Sequence, residues 1–483
     1  MSSIGADEGE QRRLLLAAVR RTDLPLEQLW LRYFGLGGSA DLLEVEGYLN
    51  ELLSLSAVER DVLAQAVNER LDELTWRPRV PYSRPLPEVY PQQGPLAALV
   101  DLLEGARGAP PDRLPALVAH AGLALGVDAT LYLVDYEQTL LAPVTAAGVP
   151  CGAPIGVDTT LPGRAFRDVR VIATDADGEP RLWVPVLDGE ERLGVLEARV
   201  HDAERLADRS LHEQLRWVAS LVGHLVTTTS RFGDGLDLVR RHQPRSPAAE
   251  LVWSMLPPLT ATTGGFALAG LVEPPYAVGS DAFDYALSER VVQLGIFDGM
   301  GHALGAGLLT AAALSAYRSA RRDGQGLFGQ ARALDDTLEA QFRGEAFVTG
   351  VLAEVDLGSG RLRYVSAGHP EPLLMRGGRV VKTLTEGRRG PFGRGDGELT
   401  VAEQALQPGD WLVLHTDGVT GACDASGQPF GHERLVDVLE REAGAAHPPA
   451  ETVRRVTRAV LEHQDGALRD DATVLLARWD ADR

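Results

Sequence analysis

From residue 12 to about 75, apolar side chains return at three- and four-residue steps, in "RRLLLAAVRR", "LEQLWLRYF", "LEVEGYLNELLSL" and "SAVERDVLAQAVNERLDEL". That period places them on one face of a helix. The last run opens with Ser56 three residues before Glu59, a capping-box spacing. The pattern predicts a small helical module over 1–76. It breaks at "RPRVPYSRPLPEVYPQQGP" (77–95). Its prolines lack the backbone N–H that a helix interior or a central strand requires, so this stretch reads as a linker.

Over 96–226 the pattern becomes helix, strands, helix. "ALVAHAGLALG" has helical spacing, "ATLYLVDYEQTLLAPVT" reads as two strands and a turn, and "RLWVPVLDGEERLGVLEARV" reads as a hairpin turning at Asp188-Gly189. "LHEQLRWVASLVGHLVTTT" closes the segment as a helix. A connector over 227–261 contains "SPAAELVWSMLPP", where Ser246 can cap, Pro247 suits the first helical position and Pro257-Pro258 stop the helix. From 262 to 483, strand-like runs joined by short turns alternate with long helical stretches. Hairpin-linked strands with segregated helices predict an α+β domain with antiparallel sheets.

The chain has 483 residues and a formal charge of −21, with 47 basic and 68 acidic side chains. That length implies several domains, and the charge disfavours nucleic acid or an anionic membrane as a general partner. Cys151 and Cys423 are the two cysteines, too far apart in sequence to suggest a metal motif or a disulfide framework. The polar start "MSSIGADEGEQRR" lacks the apolar core of a signal peptide, and no apolar run approaches the ~20 residues of a membrane span. A cytoplasmic location is expected.

Aspartates fall at the ends of the C-terminal strands. Asp298 follows "VVQLGIF" and Asp417 follows "WLVLHT", each with glycine next; Asp281 stands in "VGSDAFDY"; Asp470 and Asp471 precede "ATVLLARW". Each Asp-Gly alone is an ordinary turn. Together, carboxylates gathered at one sheet end repel one another unless a divalent cation neutralises them. Oxygen donors without a histidine or cysteine cluster indicate Mg²⁺ or Mn²⁺ rather than zinc, as a pair of ions. The glycine-rich stretch "FDGMGHALGAG" (297–307) is not a phosphate loop, because it lacks the Gly-Lys-Ser/Thr ending, and its glycine spacing does not fit a dinucleotide fingerprint. Gly299 and Gly301 are expected to shape the turn, and Gly305 and Gly307 to allow close helix packing.

Two family resemblances follow from these motifs. "TLYLVD", "TTLPGRAF" and "RLWVPVLDGEERLGVLEARV" resemble a GAF domain over 96–226. "EPPYAVGSDAFDY", "FDGMGHALGAGLLTAAAL", "FVTGVLAEVDLGSGRLRYVSAGHPEPLLMRGG", "LVLHTDGVT" and "RDDATVLLA" resemble the PPM (type 2C) metal-dependent protein phosphatases of the SpoIIE/RsbU-like branch, over about 220 residues. The second resemblance implies an αββα sandwich. It also implies that Asp281, Asp298, Asp417, Asp470 and the backbone carbonyl of Gly299 hold two Mn²⁺ or Mg²⁺ ions, with Asp298 and Asp417 central to catalysis and Asp471 behind Asp470. Gly279-Ser280-Asp281 departs from the family's usual Gly-Gly-Asp but keeps the carboxylate. His302 and His369 are weighed as acids for the leaving group and are expected to serve structure first.

The resemblance implies hydrolysis of phosphoserine or phosphothreonine by metal-activated water, without a phosphoenzyme; neither cysteine begins a Cys-x5-Arg loop. The implied substrate is a phosphorylated STAS-type anti-sigma-factor antagonist, in sigma-factor regulation. The GAF domain would take a small ligand and regulate the phosphatase through the connector, which could also support a homodimer. The alternative is a catalytically weak PPM-fold module that acts by binding protein. A two-metal nuclease is disfavoured by the charge.

Overall fold

The computed structural model describes residues 8–22, 24–73, 93–145, 153–176, 178–277, 279–394, 399–466 and 468–481. The proline-rich linker, except 93–95, and Cys151 lie outside the described residues. The chain divides into two compact units, 1–91 and 92–483.

In the first unit, helices Glu8–Thr22, Leu26–Gly35, Leu42–Leu49 and Ala57–Glu73 bury Leu15, Leu29, Tyr33, Val45, Leu63 and Val67 against one another. Ser56 does cap the fourth helix, accepting from Glu59 N at 3.2 Å. Glu59 does not reciprocate. Its carboxylate accepts from Ser39 Oγ at 2.8 Å and from the Tyr33 hydroxyl, because a tertiary partner displaces the local one. The reciprocal box forms instead at Asp41 and Glu44, with bonds of 2.8 and 2.9 Å.

The second unit contains three six-stranded sheets. The first is antiparallel, in the order Ile155–Gly156, Leu140–Pro143, Val127–Val134, Glu191–Val200, Glu179–Asp188, Ile172–Ala176. Strand Val127–Val134 is continuously apolar and buried from Leu131 onward, where both its faces are covered. Leu131 and Leu133 pack with Val118, Leu215 and Val222 from helices Leu114–Ala124 and Arg209–Thr229, while Tyr132 and Val134 pack with Phe166 and Trp183. Helix Arg209–Thr229 therefore belongs to this layer and runs past residue 226.

The other two sheets face each other as a sandwich. One runs Arg388–Arg389, Arg361–Ala367, Val348–Asp356, Val291–Gly299, Asp281–Leu287, with Ala402–Ala405 also on Arg361–Ala367. The other runs Arg379–Thr383, Leu373–Arg376, Asp410–His415, Ala472–Trp479, Phe266–Glu273, Thr260–Thr263. Period-two alternation sorts the side chains. Phe266, Leu268 and Val272 join the core with Phe283, Ile296 and Leu352, whereas Ala269 and Leu271 face Leu435, Val453 and Val456 of helices Gly431–Gly444 and Pro449–His463. Helices Ala303–Arg322 and Leu327–Phe342 cover the opposite outer face through Leu309, Tyr317 and Leu334. The layers run helix, sheet, sheet, helix.

The connector differs from its sequence reading. Helix Pro247–Met255 buries Ala249 and Val252 in the sandwich core, and Thr260–Thr263 is an edge strand of the second sheet. Both belong to the C-terminal domain, which begins near 247 in packing terms. The first layer meets this domain through ions: Glu451 pairs with Arg192 at 3.3 Å and Arg454 at 2.8 Å, and Arg454 reaches Asp158 at 2.6 Å.

Candidate metal centre

The antiparallel register sets Asp298 directly opposite Asp281, at the end of one strand and the start of the next. On the facing sheet, Asp417 opens the short helix after strand Asp410–His415, and Asp470 and Asp471 lead into strand Ala472–Trp479, which pairs with it. The sandwich thus carries all five predicted aspartates to one end. Asp298 is half-buried and Asp417 and Asp470 are exposed, whereas Asp281 and Asp471 are buried. Asp284, three residues after Asp281 on the same strand, is excluded from the centre: Arg318 and Arg321 bind it at 2.8 and 2.9 Å.

The two buried carboxylates are anchors. Asp471 Oδ2 accepts from Gly279 N at 2.8 Å, Ser280 N at 2.7 Å, Ser280 Oγ at 2.8 Å and Asp281 N at 3.3 Å. Serine at 280 thus adds a side-chain bond to the brace, which accounts physically for the departure from Gly-Gly-Asp. Asp281 Oδ2 accepts from Thr416 Oγ1 at 2.7 Å and Thr473 Oγ1 at 2.8 Å. Sequence reasoning passed over both threonines. Their signal was their placement, one directly before Asp417 and the other two residues after Asp471 on the same strand.

The acids push one another's pKa upward. Burial first, then Asp417, Asp470 and Asp471, bring Asp298 up to about 7. Burial, Asp298 and Asp471 hold Asp281 well above the usual carboxylate range, against the two threonine hydroxyls. Burial and Asp470 raise Asp417. No lysine or arginine is among the groups acting most strongly on these three. A charge set without internal neutralisation fits divalent cations. Among the described residues, no three of these aspartates bring oxygen atoms within 4.8 Å of one another; the compact trio of donors is Asp135, Glu137 and His242.

His369 is buried, with Nδ1 3.0 Å from Thr349 Oγ1, whose hydroxyl lies 3.5 Å from Asp298 Oδ2. Burial, then His415, push its pKa down to about 3, so it is neutral at pH 7 and holds Thr349 rather than supplying a proton. His302 is exposed at the N-cap of helix Ala303–Arg322 and makes no side-chain cap bond. A Cβ on Gly299 would lie 2.4 Å from Thr310 Oγ1, and one on Gly307 3.2 Å from Gly279 O. Gly305 meets open space instead, so the expected close packing falls at 299 and 307.

Residues 288–480 match the family profile described as Stage II sporulation protein E (SpoIIE). This segment is similar to the SpoIIE family. Protein IcfG of Synechocystis sp. is 26% identical over 132 residues, covering 27% of this chain and 20% of that protein. The chain therefore spans about a fifth of the length of this curated relative. Among solved structures, the RsbU and RsbW domains of a Mycobacterium tuberculosis protein match with 25% identity, covering 46% of this chain and 63% of that one at a TM-score of 0.40. The SiaA-PP2C domain of Pseudomonas aeruginosa matches with 26% identity, covering 44% and 86%, at 0.39. Within the matched segment, strand Val291–Gly299 carries Asp298, Asp417 follows strand Asp410–His415 and Asp470 precedes strand Ala472–Trp479; Asp281 and helix Pro247–Met255 lie before residue 288.

Proposed function

We propose that this protein is a metal-dependent serine/threonine phosphatase that hydrolyses a phosphorylated signalling protein, with the 96–226 layer acting as a GAF-type sensor. The observation that carries the reading is the set of half-buried Asp298 and exposed Asp417 and Asp470 beside the buried, hydrogen-bonded Asp281 and Asp471. The chemistry that Mn²⁺ or Mg²⁺ ions supply when bound there is activation of water for in-line attack on phosphorus and neutralisation of phosphoryl charge. The protein's part is placement. Asp281, Asp298, Asp417, Asp470 and the Gly299 carbonyl are the ligands we assign, with Asp281 oriented by Thr416 and Thr473 and the 279–281 loop fixed by Asp471. The acids exclude a phosphate group until cations are in place, because like charges repel.

The motif resemblance favours a STAS-type anti-sigma-factor antagonist as substrate. The sensor reading is supported by direct contacts between its sheet and the phosphatase domain, through Arg192, Glu451, Asp158 and Arg454. The test is phosphate release from a phosphoserine protein by the full chain with Mn²⁺, against Asp298→Asn. Turnover that depends on Mn²⁺ and falls about a hundredfold or more in the variant is expected. Equal turnover by both, or none by either, overturns the enzyme reading and leaves a binding module.

A further inference from the structure

Away from the aspartate centre, one corner of the first sheet meets the connector and the phosphatase domain. The turn after strand Val127–Val134 carries Asp135 and Glu137, the connector carries His242, and strand Phe266–Glu273 ends in Glu273. One donor atom each from Asp135, Glu137 and His242 lie within 4.8 Å of one another. His242 Nε2 is 3.1 Å from Asp135 Oδ2. A first-row divalent ion binding nitrogen and oxygen at about 2.0–2.2 Å spans donors roughly 4 Å apart, so small adjustments close the trio around one ion.

An independent observation points into the same corner. Glu273 is 2% exposed, and among the described residues its carboxylate has no hydrogen-bond or ion-pair partner. Beyond burial, the groups that act on it are Glu137 and Asp135, both acids. A buried carboxylate facing two more carboxylates is strongly disfavoured unless a cation joins them. Asp135 is already oriented as a ligand, accepting from Thr139 N and Thr139 Oγ1 at 2.7 Å each and from Leu140 N at 3.1 Å. Tyr276 donates to Glu137 Oε2 at 3.1 Å. Such supporting bonds orient ligands around metals. The His242 side chain is 34% exposed, which gives an ion a way in.

We propose that Asp135, Glu137 and His242 form a second cation site, for a divalent first-row transition ion such as Zn²⁺, at the seam between the sensor layer and the C-terminal domain, with the buried Glu273 carboxylate as a nearby counter-charge. One imidazole with two carboxylates suits such an ion better than Mg²⁺ or Ca²⁺, which prefer oxygen alone. Glu273 also begins the loop that ends at Gly279, Ser280 and Asp281. An ion here would therefore fasten the sensor turn to the loop that presents Asp281, a consequence for activity that rests on the phosphatase reading; binding itself does not.

The test is calorimetric titration of Zn²⁺ into the chelator-stripped full chain, in wild type, His242→Ala, Glu273→Gln and Asp298→Asn. One equivalent that persists in Asp298→Asn, disappears in His242→Ala and weakens at least tenfold in Glu273→Gln is expected. His242 is partly exposed, so its substitution leaves the cores intact, and circular dichroism verifies this. Unchanged binding in both His242→Ala and Glu273→Gln, or an equivalent lost only in Asp298→Asn, overturns the site. Failure of the phosphatase assay leaves this measurement intact, so the two readings fall separately.

Discussion

Glu451 offers a sharp test of how the sensor layer is attached. It is 1% exposed and accepts from Arg454 Nε at 2.9 Å, Arg454 Nη2 at 2.8 Å, Arg455 Nε at 2.8 Å and Arg192 Nη1 at 3.3 Å. Burial alone would raise its pKa, but the arginines overcome that and bring it from 4.5 down to about 2. At about 1.4 kcal/mol for each tenfold change in proton affinity, the folded state gains about 3 kcal/mol from the charge. Glu451→Gln removes it and leaves Arg192 and Arg454, 8% and 3% exposed, without their main counter-charge. Breaking a buried pair this way costs about 3–5 kcal/mol, in agreement. For the unit spanning 92–483, an unfolding entropy of about 2 cal/mol/K per residue turns 3 kcal/mol into a fall in Tm of about 4 °C. The pH dependence gives a second check. A depressed carboxylate stabilises fully above its unfolded pKa, and that stability is lost as pH falls from 4.5 toward about 2. The gap between wild type and variant should therefore shrink by roughly 1 kcal/mol between pH 6 and pH 4. Scanning fluorimetry at both pH values suffices. A variant that melts within a degree of wild type at pH 6, or a gap that widens in acid, refutes the reasoning.

Gly299→Ala places a methyl 2.4 Å from Thr310 Oγ1, and urea unfolding should show a loss of about 1–3 kcal/mol. Thr416→Val deprives Asp281 of one of its two hydroxyl donors; Mn²⁺ affinity should fall about tenfold and recover in Thr416→Ser, as read by titration of each variant. In the ion-free protein Asp298 stays protonated up to about pH 7, so Mn²⁺ binding must release a proton. Apparent affinity should climb with pH below 7 and level off above it, measured by titration in buffers of different ionisation enthalpy. The same raised carboxyl makes stability of the ion-free protein fall as pH rises through that range, the opposite sign to Glu451.

Much of the C-terminal domain was legible because its strands announce themselves by period and its aspartates by position at strand ends. "VVQLGIFDG" and "DWLVLHTDG" became strands, one ending at Gly299 just past Asp298 and the other at His415 just before Thr416 and Asp417. What escaped the sequence depends on the third dimension. Thr416 and Thr473 are ordinary residues until antiparallel pairing brings both hydroxyls to Asp281. Glu59 has capping-box spacing, yet Ser39 and Tyr33 claim its carboxylate. The sequence leaves the role of the connector open because the partners of Ala249 and Val252 lie far along the chain, in strands that local pattern cannot pair with it. Glu273 gives no sign in sequence that it is buried beside two other acids.

Strand Ala472–Trp479 lies between Asp410–His415 and Phe266–Glu273, paired to both. During synthesis its two neighbours therefore emerge well before it does. Until residue 472 has cleared the ribosome, the second sheet has a vacant central lane with two unpaired edges, the condition that invites wrong pairing. The closing strand also brings Asp470 and the Asp471 brace, so sheet closure and completion of the acidic centre are one event. No nascent chain short of that strand has the complete set of aspartates, so the acidic centre is finished only when the fold is sealed.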